Sequence, residues 1–146
     1  MKIIQIVGWS KSGKTTFIKD LIPELEKKGR VATIKHLGDH DFNLEKGKDT
    51  TDFYEVGSTI SVGIDVTKSV AAIRTNSLDE ILRMLLNFGI DYTILEGFKT
   101  QMFSKIAIGD ITVDNCVLSN PTVNDVISSL HLFEEYRPNN PKGKRH

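Results

Sequence analysis

The segment Gly8-Trp9-Ser10-Lys11-Ser12-Gly13-Lys14-Thr15 constrains this chain more than any other. Its spacing is G-x-x-x-x-G-K-[ST], the pattern of a loop that cradles phosphates. A β-rich run, Ile3-Ile4-Gln5-Ile6-Val7, precedes it, and an amphipathic stretch follows. Strand, glycine-rich loop and helix is the context that the pattern requires. Each position has a physical reason. Gly8 and Gly13 permit backbone paths that a Cβ would obstruct. Amides from Ser10 through Thr16 can then converge on one anion, helped by the positive end of the helix dipole. Lys14 adds a full positive charge for the β- and γ-phosphates. Thr15 offers a hydroxyl to Mg²⁺, a cation that keeps several waters and takes few protein ligands. Trp9 either covers this loop or packs beside it.

A phosphate cradle needs an acid for its metal or the metal's water. Glu96 ends the apolar run Tyr92-Thr93-Ile94-Leu95 and precedes Gly97. Ligands of open α/β sheets gather at the carboxyl ends of strands, so Glu96 is a candidate. A second cluster, Lys35-His36-Leu37-Gly38-Asp39-His40-Asp41, follows another predicted strand. There Lys35 could reach phosphate, and Asp39 or Asp41 could reach the metal. His36 and His40 have the spacing of a helical zinc pair, but Gly38 argues against a helix between them. The polar stretch Lys46-Gly47-Lys48-Asp49-Thr50-Thr51-Asp52 reads as a loop, either ordering around nucleotide or simply solvated. Asn120 falls at a strand end where a base contact could lie. The Asn-Lys-x-Asp tetrad that reads guanine in common GTPases is absent from the sequence.

Composition bounds the rest. A chain of 146 residues fits one domain of ordinary size. The 19 Lys+Arg balance 19 Asp+Glu, which argues against a mainly electrostatic nucleic-acid binder. Four of those basic residues, Arg137, Lys142, Lys144 and Arg145, lie in the last ten positions, so the expected organisation is one nucleotide-binding domain over 1–136 and a basic, flexible tail over 137–146. No apolar run approaches the ~20 residues of a membrane span. The single cysteine, Cys116, excludes a disulfide within the chain; its apolar neighbours suggest a buried core position. No signal peptide is visible at the N-terminus, and the cytoplasm is the expected location.

Strands are expected at residues 2–7, 31–35, 60–65, 70–73, 92–95, 106–108 and 115–118. Several are unbroken apolar runs, which suits a parallel sheet buried on both faces. The first helix, from about Lys14, aligns Phe17, Ile18, Leu21, Ile22 and Leu25 and stops near Gly29. Pro23 should kink it or restart it. The second opens on a Ser77–Glu80 capping box, carries Ile81, Leu82, Leu85 and Phe88, and closes at Gly89. The third follows Pro121, with Thr122 or Asn124 as cap and Val123, Val126, Ile127 and Leu130 inward. These elements predict an α/β domain with a mainly parallel sheet flanked by helices, to which residues 60–73 add an antiparallel hairpin.

Taken in order, Gly8 to Thr16, Lys35-His36 with Asp41, Gly47-Lys48-Asp49-Thr50, Glu55-Val56-Gly57-Ser58, Ile94-Leu95-Glu96-Gly97-Phe98-Lys99 and Phe103-Ser104-Lys105-Ile106 resemble the molybdopterin-guanine dinucleotide biosynthesis adaptor proteins, the MobB family. The resemblance covers roughly residues 2–130. Glu-Gly-Phe-Lys and Gly-Lys-Asp-Thr are its more specific parts; Val56-Gly57-Ser58 departs from an Ala-Gly-Ala-like segment. It implies a P-loop NTPase fold, binding of GTP with Mg²⁺, and at most weak GTPase activity. It also implies a homodimer that assists the guanylyltransferase joining GMP to molybdopterin. By motif position, Gly8 to Thr16 with Lys35 and Asp49 would bind nucleotide, and Lys14 and Glu96 would act in hydrolysis. Thr15, Asp41 and Glu96 would stand near the metal. A different class, a small-molecule or nucleoside kinase using ATP, would bring several arginines over the phosphates. This chain has only Arg30, Arg74, Arg83, Arg137 and Arg145, scattered.

Overall fold

The computed structural model describes residues 1–138; residues 139–146, most of the expected basic tail, lie outside them. In chain order the elements are β1 (Lys2–Val7), α1 (Lys14–Glu26), β2 (Val31–Lys35), α2 (Asp49–Glu55), β3 (Ile60–Ile64), β4 (Ser69–Ile73), α3 (Leu78–Asn87), β5 (Tyr92–Glu96), β6 (Lys105–Ala107), β7 (Cys116–Ser119) and α4 (Val123–Ser128), then a 3₁₀ turn at Leu130–Leu132. They fall into two compact units, one of residues 1–36 with residues 81–138, the other of residues 37–80.

The first unit is built on a five-stranded sheet in the order β2-β5-β1-β6-β7, paired in parallel throughout. Its central strand β1 is buried at every position from Ile3 to Val7. That explains why the sequence runs Ile-Ile-Gln-Ile-Val without alternation. Ile4 and Ile6 of β1, Ile94 of β5 and Ile106 of β6 form one core cluster with Leu21 and Leu25 of α1 and Val126 of α4. Phe133 closes the cluster, and the segment after it ties back to the start of β1: Tyr136 N–H donates to the Met1 carbonyl (2.8 Å). The other sheet face carries Gln5, Thr93 and Lys105, all at most 1% exposed.

The second unit holds α2 and the hairpin β3–β4, whose antiparallel register runs from Ile60↔Ile73 to Ile64↔Ser69. The hairpin is therefore present as expected, but it forms its own two-stranded sheet rather than extending the central one. Its Val62, Ile64 and Val70 side chains are exposed.

Several sequence readings are corrected. The polar stretch around Asp49 is not a loop: Asp49–Glu55 is helical, with Asp49 and Asp52 in a first turn where the dipole favours acids. Pro23 does not restart α1, which continues through it to Glu26. The N-terminus of α3 is only half a capping box. Ser77 Oγ accepts from Glu80 N–H (3.3 Å), but the Glu80 carboxylate accepts from the Thr75 hydroxyl instead. Phe88 lies past the end of α3, exposed, under the Arg30 guanidinium (4.7 Å). Cys116 is exposed, because β7 is the last strand of the sheet and lacks a neighbour on one side. The third helix has the full capping box between Thr122 and Asp125, but it ends at Ser128 and leaves Leu130 in the 3₁₀ turn.

Candidate functional site

At the carboxyl ends of β1, β5 and β2 the sequence motifs meet. Glu96 stands opposite Ile6 in the β1–β5 register and opposite Lys35 in the β2–β5 register. Parallel pairing thus places the end of β2, the end of β5 and the start of the phosphate loop side by side. Gly97 N–H donates to the Ile6 carbonyl and His36 N–H to the Glu96 carbonyl, both at 3.0 Å. These bonds carry the ladder one residue beyond the strands.

The loop leaves β1 at Gly8, which is buried. A Cβ there would stand 2.5 Å from the Ile108 carbonyl oxygen and 2.7 Å from Ser12 Oγ. Gly8 is thus required for space. Gly13 is required for conformation: it caps α1 at φ 98°, with nothing near the position of an added Cβ. No side chain caps this helix end, and its first turn holds no acid. The amides at the start of a helix need partners that the helix cannot supply, and here they keep their affinity for an external anion. Ser12 Oγ, buried and without a hydrogen-bond partner, belongs to the same loop.

Lys14 Nζ donates to the carbonyls of Gly8 and Trp9, both at 2.8 Å, and lies 3.9 Å from Glu96 Oε1. Lys35 Nζ lies 3.8 Å from Glu96 Oε2. Two ammonium groups therefore bracket one half-buried carboxylate, leaving a local excess of positive charge beside the uncapped helix end. Ser10, Lys11, Thr15 and Thr16 are exposed on the loop, and Lys11 takes a left-handed conformation (φ 60°). Trp9 is exposed, with its indole N–H on the Asp110 carbonyl (3.1 Å) and Lys99 Nζ 4.3 Å over its ring.

Of the predicted residues, the structure brings together the Gly8–Thr16 loop, Lys35 and Glu96. Asp39, Asp41 and Asp49 belong to the second unit, with Asp49 at the start of α2. Among the described residues no group of three His, Cys, Asp or Glu side chains has metal-site geometry. The Asn120 amide is engaged rather than free for a base: it accepts from Gly109 N–H (2.7 Å) and donates to the Gly109 carbonyl (3.2 Å). Two features escaped the sequence reading. One is Lys99 over Trp9. The other is the pair Gln5 and Lys105, buried beneath the β5–β6 connection. A polar residue inside an apolar strand is a signal that could have found Gln5, because a buried amide must be hydrogen-bonded to something specific.

The parallel sheet, the glycine-framed loop and the helix that starts on Lys14 define a domain with the P-loop NTPase fold. Solved structures agree on the fold. A crystal structure of Bacillus subtilis MobB matches with TM-score 0.65 at 23% identity, over 82% of this chain and 77% of that one. A MobB homologue from Bacillus stearothermophilus matches with TM-score 0.59 at 17% identity, over 88% and 92%. The family model for molybdopterin guanine dinucleotide synthesis protein B matches residues 3–129. The chain belongs to this MobB family. It is 35% identical over 141 residues to a putative molybdopterin-guanine dinucleotide biosynthesis adapter protein of Methanocaldococcus jannaschii, covering 95% of this chain and 57% of that protein. Against the adapter protein of Escherichia coli it is 30% identical over 113 residues, 73% of this chain and 64% of that one. The chain thus spans about three-fifths of the length of these relatives. Among the described residues no helix is long and apolar enough to cross a membrane.

Proposed function

We propose that this chain is a GTP-binding adapter in the biosynthesis of molybdopterin guanine dinucleotide. In this reading it assists the guanylyltransferase that attaches GMP to molybdopterin, with slow Mg²⁺-dependent hydrolysis at most. The observation that carries the nucleotide part is the convergence of Lys14, Lys35 and Glu96 on the uncapped N-terminus of α1. The family of adapters to which the chain belongs carries the pathway part.

The residues present fit a magnesium–triphosphate. The helix-end amides and the unpartnered Ser12 Oγ suit phosphate oxygens, with Lys14 and Lys35 supplying charge. Mg²⁺ takes most of its ligands from water and phosphate, so the Thr15 hydroxyl and Glu96, directly or through a water, suffice from this unit. When bound, Mg²⁺ neutralises phosphate charge. The chain's own contribution is to orient the phosphates and exclude water from one side. A homodimer through the hairpin is part of the same proposal, supported by the exposed Val62, Ile64 and Val70.

The arginines favour an adapter over a kinase. Arg30 lies on Phe88, and Arg74 on Tyr54 (4.0 Å), where its guanidinium also donates to the Tyr54 carbonyl. Arg30 stands just before β2, at the amino end of the parallel strands, whereas the phosphate loop, where cations that stabilise phosphoryl transfer must stand, lies at their carboxyl ends. Calorimetric titration with GTP and with ATP, each with and without Mg²⁺, tests the reading. GTP should bind more tightly. Lys14→Ala should cost about 2–5 kcal/mol of that affinity, much of it from a charge left unpaired. A clear preference for ATP, or unchanged affinity in Lys14→Ala, refutes it.

A further inference from the structure

Parallel strands are usually joined by a crossover of a dozen or more residues, most often through a helix. The connection from β5 to β6 has only residues 97–104, and it contains no helix. It must also pass β1, which lies between those two strands. The arm makes one internal backbone bond, from Gln101 N–H to the Phe98 carbonyl (2.8 Å). The sheet beneath supplies further partners. Gln5 of β1 and Lys105 of β6 stand opposite each other in the parallel register. Gln5 Nε2 donates to the carbonyls of Gly97 (2.9 Å) and Phe98 (2.6 Å). Lys105 Nζ donates to those of Gln101 (2.5 Å) and Phe103 (3.1 Å). Both side chains are at most 1% exposed. Gln5 leaves its own Oε1 without a partner, so both of its donor hydrogens serve the arm at the expense of its acceptor.

Four carbonyls pinned from below give the arm one shape. Gly97 and Phe98 both take left-handed φ values, 89° and 56°. The chain turns sharply there. Phe98 then stacks on His36 (centroids 4.8 Å apart), and Lys99 lands over the Trp9 indole. Trp9 is itself fixed at both ends: its carbonyl accepts from Lys14, and its indole N–H donates to Asp110. Lys99 is therefore delivered to the second residue of the phosphate loop. A cation over an exposed indole is held only weakly, so the ring presents the ammonium without sequestering it.

We propose that Lys99 is a further phosphate-directed cation of this site, and that Gln5 and Lys105 are positioning residues that set it by pinning the 97–104 arm. This rests on the triphosphate reading above. Lys99 acts as a fixed donor of positive charge from outside the loop, the task that an arginine performs in faster phosphate-processing proteins.

The test has two readouts. In the protein alone, proton NMR should place the Lys99 ε-methylene resonances upfield of those of the other lysines, because they lie over the indole face. Trp9→Leu should abolish that displacement, and Gln5→Leu should reduce it. In calorimetry with Mg²⁺ and GTP, Lys99→Met should weaken binding about tenfold, as expected for loss of one charge-assisted contact. Gln5→Leu should weaken it about threefold alone and not at all when Lys99 is already Met. Lys99 is exposed, so its variant folds whatever the buried Gln5 requires. If wild type binds no triphosphate, the nucleotide reading fails and Lys99 loses its role with it, while an upfield Lys99 signal still verifies the pinned arm. If wild type binds and Lys99→Met binds equally well, the nucleotide reading stands and Lys99 is not a phosphate ligand. Additive losses in the double variant overturn the positioning role of Gln5.

Discussion

Gly8→Ala measures how tightly the phosphate loop is welded to the sheet. The added Cβ would lie 2.5 Å from the Ile108 carbonyl oxygen and 2.7 Å from Ser12 Oγ. An ordinary carbon–oxygen contact is about 3.3–3.6 Å, so the loop and the end of β6 must separate by roughly 1 Å. Ser12 can rotate its hydroxyl, but Ile108 is backbone and cannot. Ile108 N–H donates to the Val7 carbonyl at 2.9 Å, one residue before Gly8, so the separation strains that bond directly. Overpacking costs about 1–3 kcal/mol, and a lost neutral hydrogen bond about 0.5–1.5 kcal/mol. The sum is about 2–4 kcal/mol, which for a domain of this size lowers Tm by roughly 5–15 °C. Urea titration followed by circular dichroism reads it. Gly13→Ala is the control, since its Cβ meets nothing and only the positive φ is penalised, at about 1–2 kcal/mol. If Gly8→Ala costs less than Gly13→Ala, the steric account of the loop is wrong.

Two further predictions concern residues at either side of β6. Burial holds the Lys105 ammonium below the usual lysine pKa, against the pull of Asp114 and Glu134. Between that lowered value and about 10.4 the unfolded chain binds more protons than the folded one, so Lys105 adds stability as pH rises through that window. The stability difference between wild type and Lys105→Met should therefore change with pH there and be flat below; a constant difference refutes it. Cys116, exposed on the last strand, should react with a thiol reagent in the native protein without added denaturant. Reaction only after denaturant is added would restore the buried position expected from sequence.

The start of the fold was legible because one segment carried several agreeing signals. Ile3 to Val7, the two glycines and Lys14 each demand the same strand–loop–helix order, and β1 and α1 begin where they should. Glu96 and Lys35 were legible because strand ends were, and parallel pairing did the rest. Helix α2 was not, since Asp-Thr-Thr-Asp is poor in helix formers and Lys48 gives no side-chain cap. Cys116 and Phe88 were misjudged for one reason: apolar neighbours reveal a strand or helix but not whether it has a neighbour on the side in question. The carbonyl-holding roles of Gln5 and Lys105 depend on which strands become neighbours, which no local pattern contains.

The 97–104 arm has a mechanical consequence. It begins one residue after Glu96, and its outer surface presents Met102, which is 70% exposed. Four bonds hold its inner edge to two adjacent strands, so a load on it passes into β1 and β6 through the Gln5 and Lys105 side chains.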